Sequence, residues 1–242
     1  MRHTGGRFSR AILLAAGLSV LLAGCGGAAG QPVRRTIAAS GFNAVITGWG
    51  IDVEVATSTG WAVEISADRQ VVDRIIVEVR GSTLWIGLRE GTLARARWLA
   101  SQARVSIALP SLEQLEASGG SQVRLAVRQP GGNLAVMLSG GSSLSGSLAC
   151  AGLSVTASGS SVVELSGSAD RVILAAADRS RLKLTALETP SMDAILTGGS
   201  TAAVAVSTRL AVEASGGSGL SFRGDARVET QNLSDGSWVR KE

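Results

Sequence analysis

Past residue 110 the chain alternates apolar and polar residues in short runs, and the runs return at a fixed interval. Between them stand seven corners of small residues: Ser118-Gly-Gly-Ser121, Ser139-Gly-Gly-Ser142, Ser158-Gly-Ser-Ser161, Ala177-Asp-Arg-Ser180, Thr197-Gly-Gly-Ser200, Ser215-Gly-Gly-Ser218 and Ser234-Asp-Gly-Ser237. Successive corners are 21, 19, 19, 20, 18 and 19 residues apart. A period near 19 with one bend per repeat predicts one coil of backbone per repeat, stacked into a solenoid. The fold class expected is all-β: a single-stranded parallel β-helix of seven coils over residues 111–242. At about 4.8 Å per coil it makes a rod of roughly 30 Å.

The register is strict. Three residues before each corner stand Leu115, Val136, Val155, Leu174, Ala194, Val212 and Gln231; five after it stand Val123, Leu144, Val163, Leu182, Ala202, Leu220 and Val239. These positions have the parity of a strand's inward face. Most of the residues between them are polar, charged or small. A tight bend in every coil needs positive φ, which Gly adopts freely and Asp tolerates, so Asp178 and Asp235 obey the same rule. The fourth corner residue is always Ser: Ser121, Ser142, Ser161, Ser180, Ser200, Ser218 and Ser237. Its parity turns it inward, predicting a stacked hydroxyl ladder that satisfies backbone groups at the bend. In the last coil Gln231 and Lys241 replace apolar residues and Trp238 adds bulk, which reads as a cap on the open end.

Residues 34–110 are strand-rich without the repeat. Ile51-Asp-Val53-Glu-Val55 and Trp61-Ala-Val63-Glu-Ile65 alternate around Ser58-Thr-Gly60 and predict a hairpin. Asp68 is placed to cap a helical turn over residues 69–74. A second hairpin is expected from residues 75–79 and 84–88, and a strand over residues 105–109. Residues 91–102 break the pattern and carry Arg95, Arg97 and Trp98, a candidate contact patch; the alternative is a surface loop whose Trp packs back on the domain. Asp178, Arg179, Arg181 and Lys183 make the most charged coil, read as a solvated face.

The N-terminus predicts export. Arg2, Arg7 and Arg10 precede an apolar run over residues 11–22, too short for a comfortable membrane span. The run ends in Leu22-Ala-Gly-Cys25, which resembles the bacterial lipobox. That resemblance implies cleavage after Gly24 and lipid on Cys25, with residues 1–24 as signal peptide and 25–33 as a flexible tether. Gly26, where an Asp would signal retention in the inner membrane, favours the outer membrane of a Gram-negative cell. The expected localisation is the cell envelope, and one expected partner is the membrane itself.

Charge and composition then exclude several function classes. The formal net charge is +4, but residues 1–24 hold three Arg and no acid, leaving 20 basic against 19 acidic residues. With no basic run and little aromatic content for base stacking, nucleic acid is not an expected partner. The only histidine, His3, lies in the signal, so the mature chain lacks Ser-His-Asp catalysis and histidine metal sites. With Cys25 lipidated, Cys150 has no intramolecular disulfide partner and reads as a small core filler. The acids fall in different registers, which argues against a polysaccharide-cleaving β-helix. The coils also lack the Asp-bearing repeat of a calcium β-roll. No metal or cofactor is expected, and the chain reads as noncatalytic.

Several of these features occur together in one family. Phe42-Asn-Ala-Val45, the 51–55 strand, Leu84-Trp-Ile86, Leu109-Pro-Ser-Leu112 with Leu115, and the Ser-Gly-Gly-Ser coils resemble the bacterial auto-transporter adhesins with a head GIN domain, a domain of unknown function. The resemblance covers most of residues 35–240. It implies a right-handed β-helix in an envelope protein and supplies no catalytic residues. The expected function is an adhesin-like binding or scaffold module whose partner is an envelope protein or a glycan. The alternative is a periplasm-facing structural or stress-related lipoprotein, and an enzyme acting on polysaccharide ranks below both.

Overall fold

The computed structural model describes residues 32–89, 91 and 102–242. Five long strands each make most of one coil: β9 (Gln122–Leu138), β10 (Ser143–Ala157), β11 (Val162–Ala176), β12 (Arg181–Leu196) and β13 (Thr201–Ala214). Each pairs in parallel with the next, Leu144 lying beside Val163 and Val163 beside Leu182. The sixth coil splits into β14 (Gly219–Arg223) and β15 (Arg227–Leu233), and β16 (Trp238–Lys241) closes the stack. This is a parallel β-solenoid of about seven turns of ~19 residues.

The inward residues form one continuous core from Phe42 to Ala226, with Leu115, Val155, Leu174 and Val212 all fully buried. On β15 Gln231 and Leu233 are exposed, so the buried column ends at Ala226. Coil lengths of 18 to 21 residues do not disturb the corners. Pairing instead slips on the far side of the coil, as between Cys150 and Gly152 or between Leu184 and Glu188. Glycine permits a close approach there: at Gly146 (φ +139°) a Cβ would lie 2.1 Å from the carbonyl oxygen of Leu125, and at Gly167 (φ +110°) 1.9 Å from that of Leu148.

The N-terminal region adds a coil that carries no Ser-Gly-Gly-Ser signature. Strands β2 (Ala44–Thr47) and β3 (Asp52–Thr57) pair in parallel with β8 (Gln114–Ala117) and β9. Between β2 and β3 lies the corner Gly48-Trp49-Gly50-Ile51, where Ile51 N–H donates to the Gly48 carbonyl at 3.4 Å. Ile51, fully buried, takes the place that Ser holds in the other corners. On its far side, β6 (Thr83–Leu88) and β7 (Arg104–Leu109) continue the two walls in parallel.

The expected hairpin of residues 51–55 and 61–65 does not form. The strands exist, but β7 lies between them: it pairs in parallel with β3 and antiparallel with β4 (Ala62–Ala67). Both edges of β3 are taken by neighbouring coils, β7 and β9, so β4 packs outside β7 while keeping Val63 and Ile65 in the core. The second hairpin is present as β5 (Ile75–Arg80) and β6, antiparallel from Ile75↔Leu88 to Arg80↔Thr83. The turn before it is a short 3-10 helix, Val72–Arg74, with Gln70 N–H donating to Asp68 Oδ1 at 2.7 Å. Strand β1 (Val33–Ile37) pairs antiparallel with β4 and forms one end of the sheet.

Candidate functional site

Each repeated corner is a tight turn whose two central residues have positive φ, as at Gly119 (63°) and Gly120 (79°). Ser160, Asp178, Arg179 and Asp235 adopt the same region at 52° to 64°. The turns join coil to coil: Gly141 N–H donates to Gly159 O at 2.9 Å, and Ser160 N–H to Asp178 O at 2.9 Å. Six ladder serines, from Ser121 to Ser218, have no exposed surface; Ser237 in the outermost coil is half-buried. The hydroxyls of Ser121, Ser142, Ser161, Ser180 and Ser218 each donate to the carbonyl of the first residue of their own corner, at 2.6–2.9 Å. Ser218 and Ser237 also accept, from the N–H groups of Ser200 and Ser218. Ser200 Oγ is buried without a partner. Hydroxyls used in this way hold the turn and are shut away from any ligand.

The outer surface has two walls of different chemistry. The wall after the corner bears charge. Glu54 lies between Arg104 (3.5 Å) and Arg124 (3.4 Å), and Lys183 reaches Glu164 of the preceding coil at 2.7 Å. Burial pushes the Asp52 carboxyl above its ordinary value, against the pull of Arg124 and Arg104. The wall before the corner exposes Trp85, Met137, Ile173 and Ile195, with one ionic chain across it. There Asp193 joins Arg171 (2.8 Å) and Arg209 (2.5 Å), and Arg209 continues to Glu229 (2.7 Å). Burial opposes the Asp193 charge, but hydrogen bonds from Arg209 and Arg171 outweigh it and hold the carboxyl below its ordinary value.

Shallow grooves cross these walls. One of about 500 Å³ holds Glu54, Glu64 and Arg124; one of about 610 Å³ holds Asp170, Glu188 and Arg223. In the first, Glu54 is tied to two arginines; in the second, Asp170 and Glu188 are both exposed. A groove of about 550 Å³ is lined by Gly131, Gly132, Glu113 and Ile173, where the 21-residue spacing places extra residues. At the corner of the N-terminal coil a groove of about 290 Å³ is lined by Trp49, Trp85, Arg80 and Glu116. Sequence reasoning passed over these last residues because the corner lacks its Ser; the signal was Gly48-Trp-Gly50 between two alternating runs. Cys150 is buried, and burial raises its thiol to about 11, so it is not a nucleophile at neutral pH. The described residues contain no group of three or more His, Cys, Asp or Glu able to hold a metal ion. Cys25 and the Arg95, Arg97, Trp98 patch lie outside the described residues.

Residues 41–226 match the family described as "Putative auto-transporter adhesin, head GIN domain". The chain belongs to this family. Solved structures share the fold of this head GIN chain. A putative adhesin from Bacteroides fragilis has a TM-score of 0.74 at 17% identity, covering 87% of this chain and 96% of its own. A putative lipid binding protein from Parabacteroides distasonis has a TM-score of 0.69 at 16% identity, covering 88% and 98%. A putative adhesin from Parabacteroides merdae has 0.64 at 16%, covering 88% and 97%. None of these relatives carries the name of an enzyme. The comparison with curated proteins returns no match.

Proposed function

We propose that this head GIN protein is a noncatalytic, lipid-anchored module of the cell envelope that binds an envelope protein or a glycan through the outer surface of its solenoid. The family match over residues 41–226 carries the adhesin-like part of the reading. The anchor part is supported by Leu22-Ala-Gly-Cys25 and the short tether to Val33, where β1 begins. Because β1 forms one end of the sheet, acyl chains on Cys25 hold the rod by that end and leave its walls accessible. Gly26 favours the outer membrane in a Gram-negative cell.

Metabolic labelling with an alkyne fatty acid tests the anchor. The wild-type chain takes up label and sediments with membranes, while Cys25→Ser takes up none and becomes soluble; label retained by the variant would defeat the assignment. Chemical cross-linking in native envelope followed by pull-down tests the binding role, and recovery of the chain alone would count against it. Protease treatment of whole cells separates a surface form, which is cut, from one that faces the periplasm, which is spared.

A further inference from the structure

We propose that the groove at the Trp49 corner binds a neutral pyranose ring of a glycan; this deepens the binding reading above and rests on it. The first observation is backbone strain. Trp49 occupies the first central position of its corner with φ 66°, where the seven repeated corners have Gly or Asp. A bulky side chain is a poor occupant of the left-handed region, and strain that persists at a surface marks a position kept for something other than folding. The Trp49 side chain is not core: half of its surface is exposed.

The second observation is what surrounds it. Trp85, Ile46 and Glu116 are lateral neighbours on β6, β2 and β8. At about 4.8 Å per strand, Trp85 and Glu116 stand about 10 Å apart with Ile46 as the floor between them. Trp49 lies three residues beyond Ile46 and lines the same groove. Arg80 lies 5.4 Å from the centroid of the Trp85 ring, which steadies the indole, and its guanidinium bonds Glu78 at 3.0 Å. Glu116 is half-buried and has no ion-pair partner among the described residues.

These groups match one ligand chemistry. A pyranose presents an apolar C–H face that packs on indole and hydroxyls that need acceptors; two Trp side chains supply the first and the Glu116 carboxylate the second. With Arg80 neutralised by Glu78, the Glu116 charge disfavours a uronate or a phosphate. The volume of about 290 Å³ lies at the small end of ligand pockets, which run from about 300 to 1,000 Å³, and suits a single ring.

Calorimetric titration of the full chain tests this, with methyl glycosides of neutral hexoses and N-acetylhexosamines as probes and methyl glucuronide and choline as counter-probes. The expected result is saturable binding of a neutral glycoside, weakened at least tenfold by Trp49→Gly and by Trp85→Ala and unchanged by Trp238→Ala at the opposite end. Trp49→Gly relieves the strained φ, so a retained melting temperature separates lost contact from lost fold; Glu116→Gln gives a second variant with the same backbone. Absence of neutral-glycoside binding, binding that survives both Trp substitutions, or preference for glucuronide or choline overturns the proposal. If no glycoside binds but the chain still recovers a partner from cross-linked envelope, this site falls and the binding reading stands; if neither occurs, both fall.

Discussion

At Ser139-Gly-Gly-Ser142 two glycines turn the chain through positive φ, and the Ser142 hydroxyl folds back 2.8 Å onto the Ser139 carbonyl. At Gly48-Trp49-Gly50-Ile51 the same turn is made with an indole at the first central place and a buried Ile at the fourth. Most repeated corners carry only small side chains at the turn, and in five of them the Ser hydroxyl bonds back inside; Arg179 is the exception that projects a long side chain. The Trp49 corner closes its coil equally well yet projects a large half-exposed ring beside a groove. Stability and recognition are thus divided between corners of one backbone shape. The walls differ in a similar way: ion pairs such as Lys183–Glu164 and Asp193–Arg171 cross between coils, while Trp85, Met137, Ile173 and Ile195 stay uncovered.

The comparison breaks most visibly where glycine is obligatory. Gly146→Ala drives a methyl into the Leu125 carbonyl, and we expect a loss above ~3 kcal/mol or failure to fold, read from the urea midpoint. Leu174→Ala in the middle of the core should cost about 2–5 kcal/mol by the same measurement. Ser161→Ala leaves the Ser158 carbonyl without its hydroxyl donor and should cost about 1–3 kcal/mol. A ladder substitution without effect would mean that the serines are not what holds the corner.

The ionic chain gives a smaller, pH-dependent effect. The Asp193 carboxyl is held below its unfolded value, so the stability it contributes is present above the unfolded pKa and is lost as pH falls through the folded one. Asp193→Asn should therefore flatten the acid limb of stability against pH and leave its neutral-to-basic shape alone, as followed by thermal unfolding.

Much of this fold is legible in the sequence because the coil is local. Period-two alternation and a positive-φ corner repeat within about nineteen residues, so Leu115, Val155 and Leu174 are placed inward by counting alone. What is not legible is pairing at a distance. Alternation in residues 61–65 shows a strand but not that β7 separates it from β3, because parity says nothing about which edge is free. The N-terminal coil is hidden because Ile51 meets by burial the need that Ser meets by hydrogen bonding elsewhere. The groove is hidden for the same reason: Trp49, Trp85 and Glu116 are distant in sequence and meet only through the β6–β2–β8 register.

The account turns on Trp49 being at its corner for contact and not for folding, and equilibrium unfolding of Trp49→Gly tests that most directly. Glycine removes the left-handed penalty of about 1–2 kcal/mol, and against this stand added chain entropy and the contacts of the buried half of the indole, so the account predicts an unfolding free energy within about 1 kcal/mol of wild type. A fall of about 3 kcal/mol or more, the cost of deleting a packed aromatic from a core, would contradict it.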